Sequence, residues 1–430
     1  MTEAGRLRRP ASSFLVVAAS LLAIALVAGC GDDGATDAPS VSPGASGRTP
    51  APSVTDAVEA LRPVRLRLRG ALGTDAAGYV AAIEQGYYEA AGLDVTIEPG
   101  DPAAPMPPDP GAPGADAEFL VSWPPAVLVA REREGSDLVD IAQIARRSGT
   151  LSIAWTEAGI TEPADLADRR MGIIAPGSEP EISAAAIGAG VVPGVDLTMV
   201  PIGSSVQAFL AGEVPTAQAL IYDGYAQVLE ATNPDTDAPY QPTDLDVIPY
   251  ADLGTAMLQD AIFARAGWLA EDDHEEVATA FLTASFQGWI TCRDDPSSCI
   301  DWTRDAAEAM AEAATATASP PAGSASPSAA ASSSPTTSPA PVPGRGHLAW
   351  MLNEYQPLVW PAPDGIGVLD AEAWGETVEV LLDAGLLDAA PGEDAYRTDL
   401  ALAALEDLAS LDTTGAAFEK GSVDITPGGH

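Results

Sequence analysis

Basic side chains are scarce in this 430-residue chain. Twenty Lys and Arg stand against 62 Asp and Glu, Lys420 is the single lysine, and the formal net charge is −42. Such a surface repels phosphate backbones and anionic headgroups, so nucleic-acid binding is excluded as a main activity. Histidine is as rare: His274, His347 and His430 are each isolated in sequence, and no metal site is expected from them. Cysteine occurs three times, at Cys30, Cys292 and Cys299, too seldom for a disulfide-built scaffold. Long apolar runs are missing as well. The longest obvious one, Phe14 to Val27, falls short of the ~20 residues that a membrane span needs.

What stands around that short run is informative. Arg6, Arg8 and Arg9 precede it, and Ala28-Gly29 leads into Cys30. A basic start, a short apolar stretch and small residues before a cysteine read as a bacterial lipoprotein signal. Residues 1–29 are then expected to be a cleaved signal peptide, and Cys30 the lipidated residue that anchors the protein outside the cell membrane. With Cys30 assigned, Cys292 and Cys299 remain, with six residues between them in TCRDDPSSC. Outside the cytoplasm such a pair is expected to form a disulfide.

Two segments lack the apolar periodicity of any element. Residues 30–60 are Gly, Ser, Pro, Ala and Asp with few bulky side chains, and are expected to be a disordered tether. At ~5–6 Å × √n it would hold the body roughly 25–30 Å from its anchor. Residues 314–343 repeat this composition and are expected to be a low-complexity loop inserted within one domain.

Elsewhere 47% hydrophobic residues supply a sizeable core, and strands alternate with helices. Strands are predicted at Val64–Leu68, Leu93–Ile97, Phe119–Ser122, Val139–Ala145, Leu151–Trp155, Met171–Ala175, Leu197–Ile202 and Ala217–Tyr222. Helices are predicted at Ala77–Ala91, Pro125–Glu132, Glu271–Thr291 and Ala371–Ala384, and another after Thr161, with Pro163 in its first turn. Beyond Thr255 helices are expected to dominate. Alternating elements of this kind predict an α/β protein with parallel sheets covered on both faces, which bind ligands at the carboxyl ends of their strands.

Several stretches resemble ABC-transporter solute-binding proteins of the group that takes up sulfonates, nitrate and thiamine-pyrimidine or riboflavin-like compounds. The stretches are AGYVAAIEQGYYEAAGLDVTI from Ala77, IYDGYAQVLEATNPDT from Ile221 and GTAMLQDAIFARAGWLA from Gly254. WMLNEYQPLVWPAPDGIGVLD from Trp350 and AYRTDLA from Ala395 extend the similarity. The later ones resemble the branch related to thiamine-pyrimidine precursor synthases. The resemblance implies a type II periplasmic-binding-protein fold: two α/β lobes, joined by a two-stranded hinge, that close on a solute. Lobe one would comprise residues 61–155, 254–313 and 344–411, lobe two residues 156–253, and residues 412–430 a tail. The chain departs from its relatives at Tyr222-Asp223-Gly224, where they commonly carry Tyr-Asn-Glu. It also departs at Gly177-Ser178-Glu179 and at Ser204-Ser205, which replace Gly-Asn-Glu and an aromatic-acidic pair.

Six residues are candidates for ligand contact. Tyr79 lies at the start of a predicted helix after the first strand, and Trp123 follows another strand, where it could stack on a heteroaromatic ring. Ser178 and Glu179 occupy a Pro/Gly turn after a lobe-two strand; Tyr222 and Asp223 end the next such strand and match the family's contact position. For each, core packing or a plain helix-start charge is the competing reading. The expected activity is that of a lipid-anchored, monomeric protein delivering a small heteroaromatic solute to an ABC permease, without a cofactor. The alternatives are a surface lipoprotein with a degenerate cleft and, less favoured, a precursor synthase. The synthase would need pyridoxal phosphate held by a lysine, and Lys420 lies in the tail.

Overall fold

A computed structural model describes residues 60–101, 104–108, 116–318 and 342–430, all within the unit Val58–His430. The signal, the anchor at Cys30, the tether and most of the low-complexity loop lie outside the described residues. Among the described residues no helix is long and apolar enough to cross a membrane.

The chain starts with strand β1 (Arg62–Arg67) and a helix expected to be continuous to Ala91. Instead α1 (Ala77–Glu84) ends at Gly86, whose φ of +70° breaks the helix, and a turn α2 (Tyr87–Ala90) follows. Then come β2 (Leu93–Glu98), β3 (Phe119–Ser122), α3 (Pro124–Glu134) and β4 (Leu138–Gln143). A second set begins with β5 (Thr150–Trp155) and continues with β6 (Arg169–Ile173), α4 (Pro180–Gly188), β7 (Leu197–Pro201), α5 (Gln207–Leu210), β8 (Thr216–Leu220) and α6 (Gly224–Glu230). It closes with a two-residue hairpin, β9 (Thr232–Asn233) and β10 (Ala238–Pro239), and β11 (Leu245–Pro249). The chain returns through β12 (Ala261–Arg265) and then builds α7 (Ala266–Leu269), α8 (His274–Asp294), α9 (Pro296–Ala318), α10 (Arg345–Val359), α11 (Ala371–Asp383) and α12 (Thr398–Glu406).

Two five-stranded sheets result, in the orders β2-β1-β3-β12-β4 and β11-β5-β8-β6-β7. Neither is wholly parallel. In each, the strand that arrives from the other lobe is inserted antiparallel between two neighbours: β12 between β3 and β4, β5 between β8 and β11. The lobe boundary at residue 155 therefore moves: β5 belongs to lobe two, because its hydrogen bonds go to β8 and β11. The crossing segments lie side by side, with Ile144 and Ala145 N–H donating to the Asp260 carbonyl at 3.1 and 2.9 Å. Gln259 ties them further, accepting from Gly149 N–H at 3.0 Å and donating to Thr150 Oγ1 at 2.7 Å. These are the two strands of a hinge.

Three other expectations change. The helix after Thr161 is only a short 3-10 turn, Pro163–Leu166, capped reciprocally by Glu162 and Asp165. β11 and β12 form where helices or loops were expected. The low-complexity segment starts later than residue 314, since α9 continues to Ala318. Cys292, at the end of α8, and Cys299, in α9, are joined by a disulfide. Lobe one owes its tight core to a close helix crossing: a Cβ on Gly288 of α8 would lie 1.9 Å from the Gly78 carbonyl of α1, so only glycine fits there.

Candidate functional site

A cavity of about 640 Å³ opens between the lobes. Lobe one contributes the loop after β1, from Arg69 to Gly73, together with Asp75, and also His347 and Met351 of α10. Lobe two contributes Ile174 and Ala175 after β6, Ser204 and Ser205 after β7, and one face of α6. That face carries Asp223, Gln227 and Glu230, spaced as a helix requires for side chains of one stripe. Gly428 and His430 of the C-terminal segment complete the lining.

Two ion clusters stand on the walls. In the first, the Arg69 guanidinium donates through Nε to Asp260 Oδ1 at 2.7 Å and through Nη2 to Asp75 at 2.7 Å and to the Tyr222 hydroxyl at 2.9 Å. Asp260 also accepts from the Trp123 indole N–H at 2.8 Å and the Tyr355 hydroxyl at 3.0 Å. Its backbone and its side chain thus serve hinge and cluster at once. Burial pushes the Asp75 carboxyl up to about 7, against the pull of Arg69.

In the second cluster His347 lies between two carboxylates, with Nε2 3.3 Å from Asp223 and Nδ1 3.0 Å from Glu230. Burial disfavours its charge, but the hydrogen bonds to Asp223 and Glu230 outweigh that and raise it to about 9. It is an imidazolium at neutral pH. Gln227 donates to Asp223 at 2.6 Å and holds that carboxylate in place.

The sequence candidates divide sharply. Asp223 lines the cavity. Tyr79, Trp123 and Tyr222, expected as ligand surfaces, are 1%, 2% and 0% exposed and are not part of its lining. Tyr79 packs edge-on against Trp289, because the glycine crossing brings α8 onto the start of α1. Trp123 and Tyr222 are drawn inward by Asp260 and Arg69. The Ser178 hydroxyl closes its own turn, 2.7 Å from both the Ala175 carbonyl and Gln218 Oε1, with its single proton going to one of the two. Glu179 accepts from Gly177 N–H at 2.7 Å and faces a separate cavity of about 180 Å³. Burial raises its pKa.

Beside it, Met106 of the loop after β2 reaches lobe two, its N–H donating to the Pro176 carbonyl at 2.8 Å. Gly177, with φ at +92°, admits this approach; a Cβ there would stand 2.2 Å from the Met106 carbonyl oxygen. The Gly224 departure has no consequence for the cavity, since a side chain there would point at Ala219 and Val206 inside lobe two. Ser204 and Ser205 do line it.

Sequence reading missed Arg69, Asp75, Asp260, Glu230 and His347. A signal existed for Glu230: Asp223, Gln227 and Glu230 make a polar stripe on a short helix. None marked Asp260 or His347, whose partners are 191 and 117 residues away in sequence. Among the described residues no group of three or more His, Cys, Asp or Glu is arranged to hold a metal ion. Lys420 pairs with Glu354 of α10 at 2.5 Å, and its neighbours Glu419 and Gly421 line a different cavity in lobe one.

Among solved structures, a protein of Bordetella bronchiseptica RB50 matches with a TM-score of 0.55 at 14% identity, covering 81% of this chain and 98% of its own. The ligand-binding component of an ABC-type import system from Staphylococcus aureus, solved with zinc bound, matches with a TM-score of 0.53 at 11% identity, over 79% and 98%. The alkanesulfonate-binding protein SsuA from Xanthomonas axonopodis pv. citri, bound to MOPS, matches with a TM-score of 0.50 at 13% identity, over 78% and 98%. At these identities the likeness carries the fold, the two-lobed periplasmic-binding-protein fold, and no more. No curated protein matches the chain. The NMT1/THI5-like family profile does, over residues 73–299, more than half of the chain, from the cavity loop through both hinge crossings to Cys299. With every sheet strand but β1, the hinge and the cavity walls of α6 inside that span, the chain belongs to the NMT1/THI5-like family.

Proposed function

We propose that this protein is the solute-binding component of an ABC importer, held at the outer face of the membrane by a lipid on Cys30 and acting as a monomer. The observation that carries the reading is the cavity of about 640 Å³ between hinged lobes, a size suited to one small organic molecule. Each lobe supplies part of the lining, so a solute that touches both favours closure, and closure reports occupancy to a membrane permease.

The solute class we propose is a small heteroaromatic compound of the thiamine-pyrimidine precursor or riboflavin-like kind. Family membership supports it, as do the acceptors Asp223 and Glu230, which suit the amino edge of such a ring. The aromatic surface would come from the imidazoles of His347 and His430 rather than from Trp123. The synthase alternative draws no support from Lys420, which is ion-paired away from the cavity.

Native mass spectrometry of protein purified from its own host tests the reading. A co-purifying small molecule, displaced by a thiamine-pyrimidine precursor, is the expected result. A protein that arrives empty and shows no melting shift with any aromatic vitamin precursor overturns the solute class. Membrane fractionation of Cys30→Ala tests the anchor: the variant should leave the membrane fraction, and a variant that stays would remove the lipid from the account.

A further inference from the structure

The charges on the cavity wall are unequal, and that inequality bears on what the cavity admits. Arg69 is gripped by Asp260 and Asp75, at 2.7 Å each, and its side chain is only 10% exposed. His347 is gripped by Asp223 and Glu230 and is 7% exposed. Each cation at the wall therefore faces two carboxylates. The backbone does not restore the balance. The loop Gly70–Gly73 brings peptide groups to the lining, but Asp75, in the turn that follows, sets a further carboxyl beside them. Glu230 stands at the C-terminal end of α6, where the helix dipole adds negative potential. Of the remaining polar lining, Ser204, Ser205, Gln207 and Gln227 are uncharged, and His430 brings an imidazole.

We infer that the cavity selects a positively charged solute, an amine or amidine, and rejects oxyanions. This rests on the solute-capture reading above and specifies its chemistry. A protonated amidine or aminopyrimidine can donate to Asp223 or to Glu230 where each lines the cavity, and supplies the positive charge that the lining lacks. A sulfonate or carboxylate in the same place meets an excess of carboxylates over cations.

Three probes of one shape and different charge separate the outcomes: benzamidine, benzamide and benzenesulfonate, each titrated calorimetrically into the full chain stripped of endogenous solute by partial unfolding and refolding. Benzamidine should bind about tenfold more tightly than benzamide, and benzenesulfonate should give no heat. Glu230→Gln should bring the benzamidine-to-benzamide ratio close to one. Asp223→Asn should do the same, which keeps the test available if one variant fails to fold. Benzamide or benzenesulfonate binding as tightly as benzamidine overturns the charge selection and leaves solute capture standing, as does a ratio unmoved in folded variants. If none of the three binds and no molecule co-purifies from the host, solute capture falls and this inference falls with it.

Discussion

The Arg69 guanidinium places its Nη2 2.9 Å from the Tyr222 hydroxyl, so a side chain rooted beyond the first strand of lobe one ends on the residue that leaves lobe two's central strand. The same guanidinium is held by Asp75 and Asp260, and Asp260 is itself part of the hinge. Hinge, cavity wall and lobe contact are therefore one hydrogen-bonded assembly, and disturbing it should change closure and stability together.

Tyr222→Phe removes this lobe-to-lobe bond while leaving Arg69 on its two carboxylates. The expected loss is about 1–2 kcal/mol of unfolding free energy, because a buried hydrogen bond to a charged group is broken without opening a large void. Urea titration reads the stability, and small-angle scattering should show a larger radius of gyration for the solute-free variant. Identical scattering and identical midpoints would show that the bond does not hold the lobes together.

His347 makes stability depend on pH in a defined direction. Its pKa rises from an ordinary 6.5 to about 9 in the folded protein, so its contribution is complete below pH 6.5 and is lost as pH climbs through 9. Over that window the native protein should lose on the order of 3 kcal/mol. His347→Gln should flatten this slope. A variant whose pH profile parallels the parent's between 6.5 and 9 would refute the assignment.

Asp140, on β4, acts in the same sense over a lower pH range. It is 1% exposed, its carboxylate oxygens have no well-formed hydrogen bond, and burial, opposed only by the nearby Ala142 N–H, pushes it up to about 8. The folded protein keeps this proton where the unfolded chain would release it, so stability falls as pH rises from about 4 to 8. Asp140→Asn should stabilise the protein at pH 7 by roughly 1–3 kcal/mol, less than the full ionisation cost because the amide also lacks partners. Near pH 4 the advantage should disappear. Thermal melts at the two pH values decide it, and an asparagine variant less stable than the parent at pH 7 would contradict this account.

Gly177 is the point where the loop carrying Met106 meets lobe two. Gly177→Ala adds a Cβ 2.2 Å from the Met106 carbonyl at a φ of +92°, so the loop must withdraw. Destabilisation of about 2–4 kcal/mol is expected, together with faster proteolysis around residues 104–108. Gly188→Ala, at a position with open space around it, is the matched control. Equal behaviour of the two variants would mean that the loop does not depend on this contact.

Much of the fold was legible in the sequence, and particular elements show why. β1, β2 and α11 fall close to their predicted limits because local apolar alternation and a cap at Asp370 decide them without help from distant residues. β12 was not legible, since Ala261–Arg265 is buried between two neighbours and shows no alternation. The site fared worse. Position after a strand pointed to Trp123 and Tyr222, which do adjoin the cleft, but their side chains turn inward to Asp260 and Arg69.

Composition and local pattern alone determined an acidic α/β chain with alternating strands and helices, because these properties depend on neighbours in sequence. Tertiary structure alone decided which polar groups face the cavity. His347 meets Asp223 and Glu230, and Arg69 meets Asp260, only when segments more than a hundred residues apart are brought together. A side chain's role in a cleft is set by the charges it meets there, and those partners are chosen by packing rather than by spacing along the chain.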